Sequence, residues 1–416
     1  MSDKSTAILI IGAGQAGAEV AFCLRKLGCK ARVILVGEES VQPYQRPPLS
    51  KAYLNGQVDL EDLYVKPAAT YLAADIEVRT GVRAERIDRA RKRVFFSDGS
   101  SESYDKLVLA TGGLPRRLQC SGVESAQRLQ NLHYLRTVED VKRIRHQFHK
   151  NARLVLVGGG YIGLEVAAVA CKEGLKVTVL EALPRVLARV TAPEVSAFYE
   201  NVHRAAGVDI RTNAAVSGTE TDPSGDAVSA VVLGDGSSLP VDVMIVGIGL
   251  VPATELAGTA GLVVDNGILV DAFMRTSDPD VLAVGDCACY PSTLYGRNLR
   301  IESVPNALEQ ARTAAATICG QERPHDAVPW FWSDQYDLKL QMVGLSQGYD
   351  TVVVRGDPAQ RSFVAFYLRE GHLIAVDAVN RPQEFMMSKR LVAQSVSVDP
   401  ELLSDESIPL KSLLSI

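Results

Sequence analysis

One stretch of this sequence occurs twice, and the repeat limits the folds that the chain can adopt. The segments GAGQAGAEVAFCLRKLGCK, from Gly12, and GGGYIGLEVAAVACKEGLK, from Gly158, align without gaps and share their three spaced glycines. Each copy follows a strand-like run, AILII or RLVLV, and opens an alanine-rich helical pattern. Another strand-like run follows each helix, ARVILV or KVTVL. The repeat therefore predicts two strand–helix–strand units, each within a parallel sheet.

The glycines of each copy have the spacing G-x-G-x-x-G between a strand and a helix. In such a turn the first glycine allows a tight bend, the second lets the backbone approach a pyrophosphate, and the third lets the helix pack close to the strand. Free N–H groups at the helix N-terminus then bind the phosphates. Two such turns in full context predict two dinucleotide sites, formed by Gly12, Gly14 and Gly17 and by Gly158, Gly160 and Gly163.

An acidic residue after the second strand of each unit would bind a ribose hydroxyl. In the second copy this residue is Glu181, directly after KVTVL. Its carboxylate would repel a 2′-phosphate, so we expect NADH rather than NADPH, and we expect the later Arg185 to be a surface residue. In the first copy the acid is Glu38 or Glu39, and we favour Glu38 because it lies nearer the strand end.

Two dinucleotide sites in one chain indicate electron transfer between two cofactors. NADH delivers a hydride, and FAD is the natural acceptor because a flavin can take a hydride and release single electrons. This chemistry belongs largely to the cofactors, so the protein need not supply a general base. The six histidines are scattered and predict no metal site. The net charge of −5 argues against nucleic acid as the main partner.

The seven cysteines are scattered, and no two of them form a C-x-x-C pair. This pattern indicates reduced thiols and a cytoplasmic protein. No apolar run has the length of a membrane span, and the opening MSDKSTAILIIGAG reads as a first strand rather than a signal peptide. A disulfide, peroxide or coenzyme-A-disulfide reductase would need a cysteine near residues 42–51, where the sequence has none.

Three motifs outside the repeat resemble the two-dinucleotide flavoprotein reductases of the glutathione-reductase type. TSDPDVLAVGDCA (276–288) resembles their second FAD motif, a strand ending in Gly285-Asp286 whose aspartate binds the ribityl chain, and LVLATGG (107–113) and IVGIGLVP (245–252) resemble the links between their domains. The resemblance implies an α/β fold with two Rossmann-like dinucleotide-binding domains and a C-terminal α+β interface domain. The implied bounds are 1–112 and 245–322 for the FAD domain, 113–244 for the NAD domain and 323–416 for the interface domain.

Five further motifs together resemble the FAD-dependent ferredoxin reductases of bacterial oxygenase systems, and they cover nearly the whole chain. They are RPPLSKAYL (46–54), YLRTVED (134–140), GGGYIGLE (158–165), ESVPNALEQA (302–311) and PWFWSDQY (329–336). The resemblance implies that FAD is bound by Gly12, Gly14, Ala16, Gly17, Glu38, Pro47, Lys51, Ala84, Thr111, Gly112, Arg136, Asp286 and Val304. It implies that NAD is bound by Gly158, Gly160, Tyr161, Ile162, Gly163, Glu181 and Gly249.

The same resemblance gives catalytic roles to three residues. Lys51 and Glu165 match a buried lysine–glutamate pair beside the flavin N5, and Trp332 matches a tryptophan that covers the flavin edge, with core packing as its alternative. Pro47 and its neighbour Pro48 fix φ and would make a rigid wall against the isoalloxazine. At the place where a disulfide reductase has redox-active thiols, this chain would have the rigid proline segment and the positive charge of Lys51. Electrons must therefore pass from the flavin to an external acceptor.

The end of the chain contains the strand-like runs LKLQMVGL, TVVVRG, SFVAFYL and LIAVDAV, which predict an antiparallel sheet. The resemblance makes this part an interface domain and implies an acidic 2Fe–2S ferredoxin as the partner. Candidate docking residues are Arg312, Lys389, Arg390 and Lys411. The ferredoxin would supply a haem monooxygenase of the cytochrome P450 type, and we expect a monomer or weak dimer.

Two alternatives remain open. The chain could be the reductase component of a ring-hydroxylating dioxygenase. It could also be an NADH-sensing flavoprotein like apoptosis-inducing factor, which shares the fold and the lysine–glutamate pair. A sensor would be reduced slowly by NADH and would dimerise. We would also expect a sensor to contain long insertions in the third domain, which the sequence does not show.

Overall fold

The structure is a computed structural model that describes residues 6–123 and 129–415. Residues 1–5 of the expected FAD domain, 124–128 of the expected NAD domain and residue 416 lie outside the described residues. The chain divides into two compact units. Unit 1 consists of Met1–Gln45, Leu60–Leu114 and Val251–Pro329, and unit 2 consists of Arg46–Asp59, Pro115–Leu250 and Trp330–Ile416. The three expected domain bounds stay a prediction.

Unit 1 contains the first copy of the repeat within a parallel sheet. With elements numbered along the whole chain, its first elements are β1 (Ala7–Ile11), α1 (Gln15–Lys26), β2 (Arg32–Val36), α2 (Leu60–Leu63), α3 (Ala68–Ala73), β3 (Ile76–Arg79), β4 (Ala84–Asp88), β5 (Arg93–Phe96), β6 (Ser101–Ser103) and β7 (Lys106–Leu109). β1 pairs in parallel with both β2 and β7, and β2 pairs with β3. The strand order therefore reverses at β1, which opens a ligand-binding crevice at the carboxyl ends of the strands.

The rest of unit 1 comes from the later part of the chain. Its elements are α7 (Glu255–Thr259), β18 (Val264–Asp265), β19 (Gly267–Leu269), β20 (Val281–Ala283), β21 (Ala288–Ser292), β22 (Arg297–Leu299) and α8 (Val304–Ile318), while β8 (Gly113–Pro115) and β17 (Leu250–Pro252) lie where the chain passes between the units. β20 completes the parallel sheet beside β7, and α8 packs along α1. β4, β5 and β6 form a separate antiparallel sheet.

Unit 2 repeats this plan with the second copy. Its first elements are β9 (Leu132–Tyr134), α4 (Val138–Arg145), β10 (Arg153–Val157), α5 (Tyr161–Lys172), β11 (Lys176–Leu180), α6 (Pro193–Ala205), β12 (Asp209–Arg211), β13 (Val216–Thr221), β14 (Val228–Leu233), β15 (Ser238–Pro240) and β16 (Val243–Val246). The parallel sheet has the order β12-β11-β10-β16-β9, so its strand order reverses at β10. β13, β14 and β15 form an antiparallel sheet, and buried residues of β14 pack in one cluster with residues of β10 and β16.

The C-terminal part of unit 2 is an antiparallel sheet in the order β23-β24-β27-β26-β25. Its elements are β23 (Trp330–Gln335), β24 (Leu338–Gly344), β25 (Thr351–Asp357), β26 (Ser362–Arg369), β27 (His372–Val379), α9 (Pro382–Ala393) and α10 (Pro400–Ser404). Four of these strands coincide with the predicted runs, and α9 packs on β24 and β27. The predicted α/β fold class is confirmed. Among the residues that the structure describes, no helix is both long and apolar enough to cross a membrane.

Candidate functional site

The first glycine turn in unit 1 has the contacts that a phosphate-binding turn needs. Gly12 has φ +111°, and a Cβ at this residue would lie 2.1 Å from the carbonyl oxygen of Ala110. A Cβ on Gly17 would lie 2.0 Å from the carbonyl oxygen of Gly12, so α1 packs directly on the turn. A Cβ on Gly14 would meet nothing within 4 Å, so the backbone here is open to a ligand. The three glycines therefore have three different physical roles.

The second glycine turn, in unit 2, has the same geometry. Gly158 has φ +109°, and a Cβ at this residue would lie 2.4 Å from the carbonyl oxygen of Gly247. A Cβ on Gly163 would lie 2.2 Å from the carbonyl oxygen of Gly158, and Gly160, like Gly14, is open. Two segments far apart in the sequence thus form equivalent open turns at the N-termini of α1 and α5, where free N–H groups favour bound phosphate.

Gln15 supports a bound group at the first turn, and the sequence interpretation missed it. It begins α1 directly after Gly14. Its Oε1 is buried and has no hydrogen-bond partner. A buried acceptor without a donor is costly, and a bound cofactor that supplies a donor would remove the cost. The residues present at this turn therefore fit a dinucleotide.

Glu181 lies where the second fingerprint requires an acid. It directly follows β11, and its Oε2 accepts the Gly159 N–H while its Oε1 accepts the Leu183 N–H, each at 2.8 Å. These two bonds fix the carboxylate against the glycine turn. Arg185 is not the surface residue that we expected, because it is half-buried and donates to Ser196 Oγ at 2.6 Å. The guanidinium of Arg185 is therefore hydrogen-bonded to α6.

The acid of the first copy has a different arrangement. The backbone N–H of Gly37 donates to Arg79 O at 2.8 Å, just as that of Glu181 donates to Arg211 O, so Gly37 is the residue equivalent to Glu181. A Cβ on Gly37 would lie 2.6 Å from the Cβ of Ala13, whereas the second copy has Gly159 at that place. A side chain at the strand end is thus excluded in the first copy, and the acid must come later.

Two acids follow Gly37, and the choice between them stays a prediction. The Glu38 side chain is 70% exposed, with Arg83 Nη1 at 4.0 Å. Glu39 accepts the Tyr44 hydroxyl at 2.6 Å. The segment from Gly37 to Glu39 is bonded to residues 81 and 82, which lead into β4 and Ala84. The predicted FAD residues Glu38 and Ala84 therefore lie on, or shortly after, two segments of unit 1 that are hydrogen-bonded to each other.

The later FAD motif meets the first turn within unit 1. β20 ends at Ala283, and Gly285 and Asp286 form a 3-10 turn rather than the strand end that we expected. Gly285 N–H donates to Gln310 Oε1 on α8 at 2.7 Å, and a Cβ on Gly285 would lie 3.2 Å from the Cβ of Ala16. Val304 begins α8, which Ser303 caps. The structure therefore brings the turn of Asp286 to the start of α1.

The link residues Thr111 and Gly112 are fixed to the returning chain of unit 1. Thr111 Oγ1 donates to Ala253 O at 2.7 Å, and Gly112 O accepts the Ala253 N–H at 2.9 Å. Thr111 also directly follows Ala110, whose carbonyl contacts Gly12. The link and the first glycine turn are therefore part of one packed edge.

The lysine–glutamate pair lies in unit 2. Lys51 Nζ is 2.8 Å from Glu165 Oε2, and the two side chains are 20% and 4% exposed. Pro47 begins a 3-10 turn that ends at Ser50, and this turn places Lys51 to bond both Pro47 O and Glu165. Ser50 donates to Glu165 Oε2 and Ser333 donates to Oε1. A nearly buried carboxylate is thus surrounded by three donors from two segments that are distant from it in sequence.

The other predicted residues of unit 2 lie around α5 and β23. Arg136 precedes α4, and its carbonyl oxygen accepts from Arg46. The Tyr161 ring lies 5.1 Å from Phe331, and its hydroxyl is 2.6 Å from Met342 Sδ. Trp332 is half-buried, with its ring centroid 5.8 Å from that of Trp330. Two predicted NAD residues are exposed, Ile162 and Gly249.

Two of the candidate docking residues already have partners. Arg312, in unit 1, pairs with Glu309 and Glu19. Lys389, in unit 2, places its Nζ 4.4 Å from the Trp330 ring centroid. Arg390 and Lys411 are exposed in unit 2. The docking role of all four residues stays a prediction.

Asp377 on β27 is a buried acid that the sequence interpretation did not mark. It accepts the Tyr367 hydroxyl, and that hydroxyl oxygen accepts the N–H of Ala192 at the start of α6 at 3.0 Å. Burial raises the pKa of Asp377 to about 7, although the hydrogen bond from Tyr367 opposes the rise. The residue therefore titrates near neutral pH at the contact between α6 and the C-terminal sheet.

We expect Asp377→Asn to remove one pH dependence of stability. Folded Asp377 keeps its proton up to about pH 7, whereas an unfolded aspartate loses it near about pH 4. Its stabilisation is therefore complete below about pH 4 and is lost as the pH rises to about 7. Relative to the variant, the wild type should lose about 1.4 kcal/mol per pH unit between about pH 5 and 6.5. Thermal unfolding of both proteins measures this, and a difference that is constant with pH would contradict it.

Comparison with known proteins places this geometry among redox enzymes. Residues 6–311 match the family described as pyridine nucleotide-disulphide oxidoreductase, and residues 330–414 match the family described as reductase C-terminal. The chain is 52% identical to putidaredoxin reductase of Pseudomonas putida over 408 residues, which are 98% of this chain and 96% of that protein. It is 46% identical over 409 residues to the ferredoxin reductase subunit of 5,5′-dehydrodivanillate O-demethylase of a Sphingobium species, with 97% of each chain covered.

A solved structure gives the same result. The crystal structure of the covalent putidaredoxin reductase–putidaredoxin complex matches with a TM-score of 0.95 at 52% identity. The match covers 99% of this chain and 98% of that chain. The likeness therefore extends over both units and includes the C-terminal antiparallel sheet.

Proposed function

Because the chain belongs to the pyridine nucleotide-disulphide oxidoreductase family and carries a reductase C-terminal domain, we propose that it passes electrons from NADH through FAD to a 2Fe–2S ferredoxin. The predicted resemblance to ferredoxin reductases is confirmed, and the chain is an oxidoreductase that uses FAD and NADH. The observation that carries the proposal is the 52% identity to putidaredoxin reductase over 98% of this chain. The Lys51–Glu165 pair argues against a disulfide reductase, because Lys51 lies in a segment where such an enzyme would need a thiol.

FAD is assigned to the first glycine turn. Gly12, Gly14 and Gly17 would hold the pyrophosphate, and Glu38 would hold the ribose. Further FAD residues in unit 1 would be Ala16, Ala84, Thr111, Gly112, Asp286 and Val304. Family resemblance adds Pro47, Lys51 and Arg136. The assignment is supported by the unpartnered Oε1 of Gln15.

NADH is assigned to the second glycine turn. Gly158, Gly160 and Gly163 would hold its pyrophosphate, and Glu181 would bind the ribose hydroxyls. Tyr161, Ile162 and Gly249 would line the path of the nicotinamide. The carboxylate of Glu181 would repel the 2′-phosphate of NADPH.

Bound FAD accepts two electrons from NADH and releases them singly. Lys51 would supply positive charge to the reduced flavin, and Trp332 would shield the flavin edge. Glu165 makes the partial burial of the Lys51 ammonium tolerable, because a buried charge needs a partner. Pro47 restricts the backbone of the segment that carries Lys51, so the ammonium position is set before any cofactor binds.

The electron acceptor is proposed to be a 2Fe–2S ferredoxin that serves a monooxygenase of the cytochrome P450 type. Support comes from the 52% identity to putidaredoxin reductase and from the likeness to its complex with putidaredoxin. Arg390 and Lys411 would steer an acidic partner, together with Lys389 and Arg312. A second candidate is the reductase component of a ring-hydroxylating dioxygenase, because a relative that is 39% identical is the ferredoxin–NAD+ reductase component of an anthranilate 1,2-dioxygenase system.

Three further properties belong to this proposal. The chain would be cytoplasmic, because its cysteines are free thiols and such thiols persist in reducing compartments. It would be a monomer or weak dimer. Its functional domains would be residues 1–112 with 245–322 for FAD, 113–244 for NAD and 323–416 for the partner.

Reduction of cytochrome c by NADH, with and without a 2Fe–2S ferredoxin, tests the proposal. We expect the purified yellow protein to reduce cytochrome c slowly alone and much faster with ferredoxin. Rapid flavin reduction without stimulation by ferredoxin would contradict the acceptor. Slow flavin reduction with NADH-driven dimerisation would favour the sensor alternative.

We expect Glu181→Gln to weaken the preference for NADH over NADPH by roughly tenfold or more, because the variant loses a charge that opposes the 2′-phosphate. Glutamine keeps an oxygen that can accept the Gly159 N–H, so the turn should persist. The ratio of the two kcat/KM values measures the effect. Glu38→Gln is the matched control, and an equal change in that variant would contradict the assignment of the two acids.

A further inference from the structure

A line of buried hydrogen bonds in unit 2 ends at the Glu165 carboxylate. Ser333 on β23 donates to Glu165 Oε1 at 2.6 Å, and Gln335 Nε2 donates to Ser333 Oγ at 3.2 Å. His203 Nε2 on α6 lies 2.9 Å from Gln335 Oε1, and the Tyr336 hydroxyl lies 3.2 Å from His203 Nδ1. Ser333, Gln335 and His203 are at most 1% exposed. The family motifs assigned no role to these three side chains.

The hydrogen bonds in this line have one direction. Gln335 Oε1 can only accept, so His203 must carry its proton on Nε2. Burial lowers the pKa of His203, so the ring is neutral at neutral pH and its Nδ1 accepts from Tyr336. Each group therefore donates a hydrogen bond to the next one, and the direction runs from Tyr336 toward Ser333. The hydroxyl of Ser333 is the last donor, and it donates to Glu165.

The line holds Glu165 rather than conducting protons to it. Gln335 interrupts any proton path, because a side-chain amide neither takes up nor releases a proton near neutral pH. Glu165 Oε1 is fixed by Ser333 from the C-terminal sheet, while Ser50 and Lys51 fix Oε2 from the segment 46–59. All three neighbours donate, as an acceptor-only carboxylate requires.

We propose that Ser333, Gln335 and His203 are positioning residues for the Lys51–Glu165 pair. They fix the plane of the carboxylate, and the carboxylate fixes the ammonium of Lys51. This inference rests on the proposed function, in which Lys51 acts on the flavin. It adds that the C-terminal sheet and α6 set the position of that charge.

Ser333→Ala tests the inference in the holoenzyme. The variant removes a donor from Glu165, and we expect flavin reduction by NADH to slow by about tenfold, the typical worth of a hydrogen bond to a charged group. The flavin midpoint potential should fall by about 30 mV, which is a tenfold change for a two-electron couple. Ser333→Thr keeps the hydroxyl and should restore both values.

Gln335→Met cuts the same line one step earlier while Ser333 keeps its hydroxyl. We expect changes of the same sign, with a rate about threefold lower, because Ser333 loses the donor that orients it. This variant also provides the test if Ser333→Ala does not fold. An unchanged rate and potential in Gln335→Met would overturn the role of the line.

Ser388→Ala is the matched control. Ser388 is also a fully buried serine in unit 2, but its hydroxyl donates to the backbone oxygen of Glu384 at 2.7 Å, outside the line. We expect this variant to keep the wild-type rate and potential. Equal values for Ser333→Ala and Ser388→Ala would overturn the inference and leave the proposed function standing. A wild-type flavin that NADH does not reduce would instead contradict the proposed function.

Discussion

Lys51→Met is expected to slow flavin reduction by NADH by about a hundredfold and to destabilise the fold by about 3 kcal/mol. The rate falls because the variant removes the positive charge proposed to act on the reduced flavin. Stability falls because Glu165, which is 4% exposed, keeps its carboxylate without a cationic partner. We place the stability loss at the low end of the usual range, since Ser50 and Ser333 still donate to that carboxylate. Stopped-flow absorbance and denaturant unfolding measure the two effects.

The double variant Lys51→Met/Glu165→Gln separates stability from activity. It removes both charges and keeps an oxygen that can accept from Ser333, so we expect most of the lost stability to return. The rate should stay about a hundredfold below wild type, because the charge is still absent. A double variant that regained the wild-type rate would show that the pair is purely structural.

Gly158→Ala is expected to weaken NADH binding by about a hundredfold or more and to leave FAD bound. Its methyl group would lie 2.4 Å from Gly247 O at φ +109°, so the turn must move away from β16. The N–H groups at the start of α5 would move with it, and these groups are the proposed pyrophosphate ligands. Fluorescence titration with NADH and the flavin content of the purified protein measure the two parts.

Gly12→Ala is the mirror experiment in unit 1. Its methyl group would lie 2.1 Å from Ala110 O, so we expect a protein that has lost FAD and its yellow colour. Gly28→Ala and Gly174→Ala are the controls, because these glycines also have positive φ but no backbone atom within 4 Å of a Cβ. We expect the controls to keep both cofactors and to lose about 1 kcal/mol of stability from backbone strain. Loss of FAD in Gly158→Ala, or of NADH in Gly28→Ala, would contradict the assignment of the two turns.

The repeat predicts the fold well because its third glycines make their contacts within the strand–turn–helix unit, where Gly17 packs on Gly12 and Gly163 packs on Gly158. The first glycines, Gly12 and Gly158, contact the residues that directly follow the neighbouring parallel strand. Hydrophobic runs of the C-terminal part likewise define their strands by residues close in sequence. The ending of β20 before Gly285 could not be predicted this way, since Gly285 is fixed by Gln310 on a later helix.

The candidate site depends on contacts that are distant in sequence. Glu19 and Glu165 occupy equivalent positions in the two copies of the repeat. Glu19 nevertheless pairs with the half-exposed Arg312, whereas Glu165 is buried beside Lys51. The repeat gives no sign of this difference, and family resemblance supplied the pairing with Lys51. The donors Ser50 and Ser333 lie 115 and 168 residues from Glu165, so periodicity and spacing cannot predict them.

Arg185 shows the same limit on local reasoning. Its distance from the end of β11 predicted a surface residue, but its guanidinium donates to Ser196 at the start of α6 and is half-buried. Gln15 was missed for a different reason, because its unpartnered oxygen is visible only once burial is known. Local patterns define elements, and burial decides which polar groups remain available to a ligand.

Anaerobic titration of the holoprotein with NADH, first alone and then with excess oxidised 2Fe–2S ferredoxin, tests the central claim most directly. Flavin and iron–sulfur absorbance report where the electrons go. If a charge replaces the thiol relay, the protein without ferredoxin should consume one NADH for each flavin that is reduced. When the ferredoxin is present, each NADH should reduce two ferredoxin molecules. Consumption of a second NADH by the protein alone, or full flavin reduction with the ferredoxin left oxidised, would contradict this account.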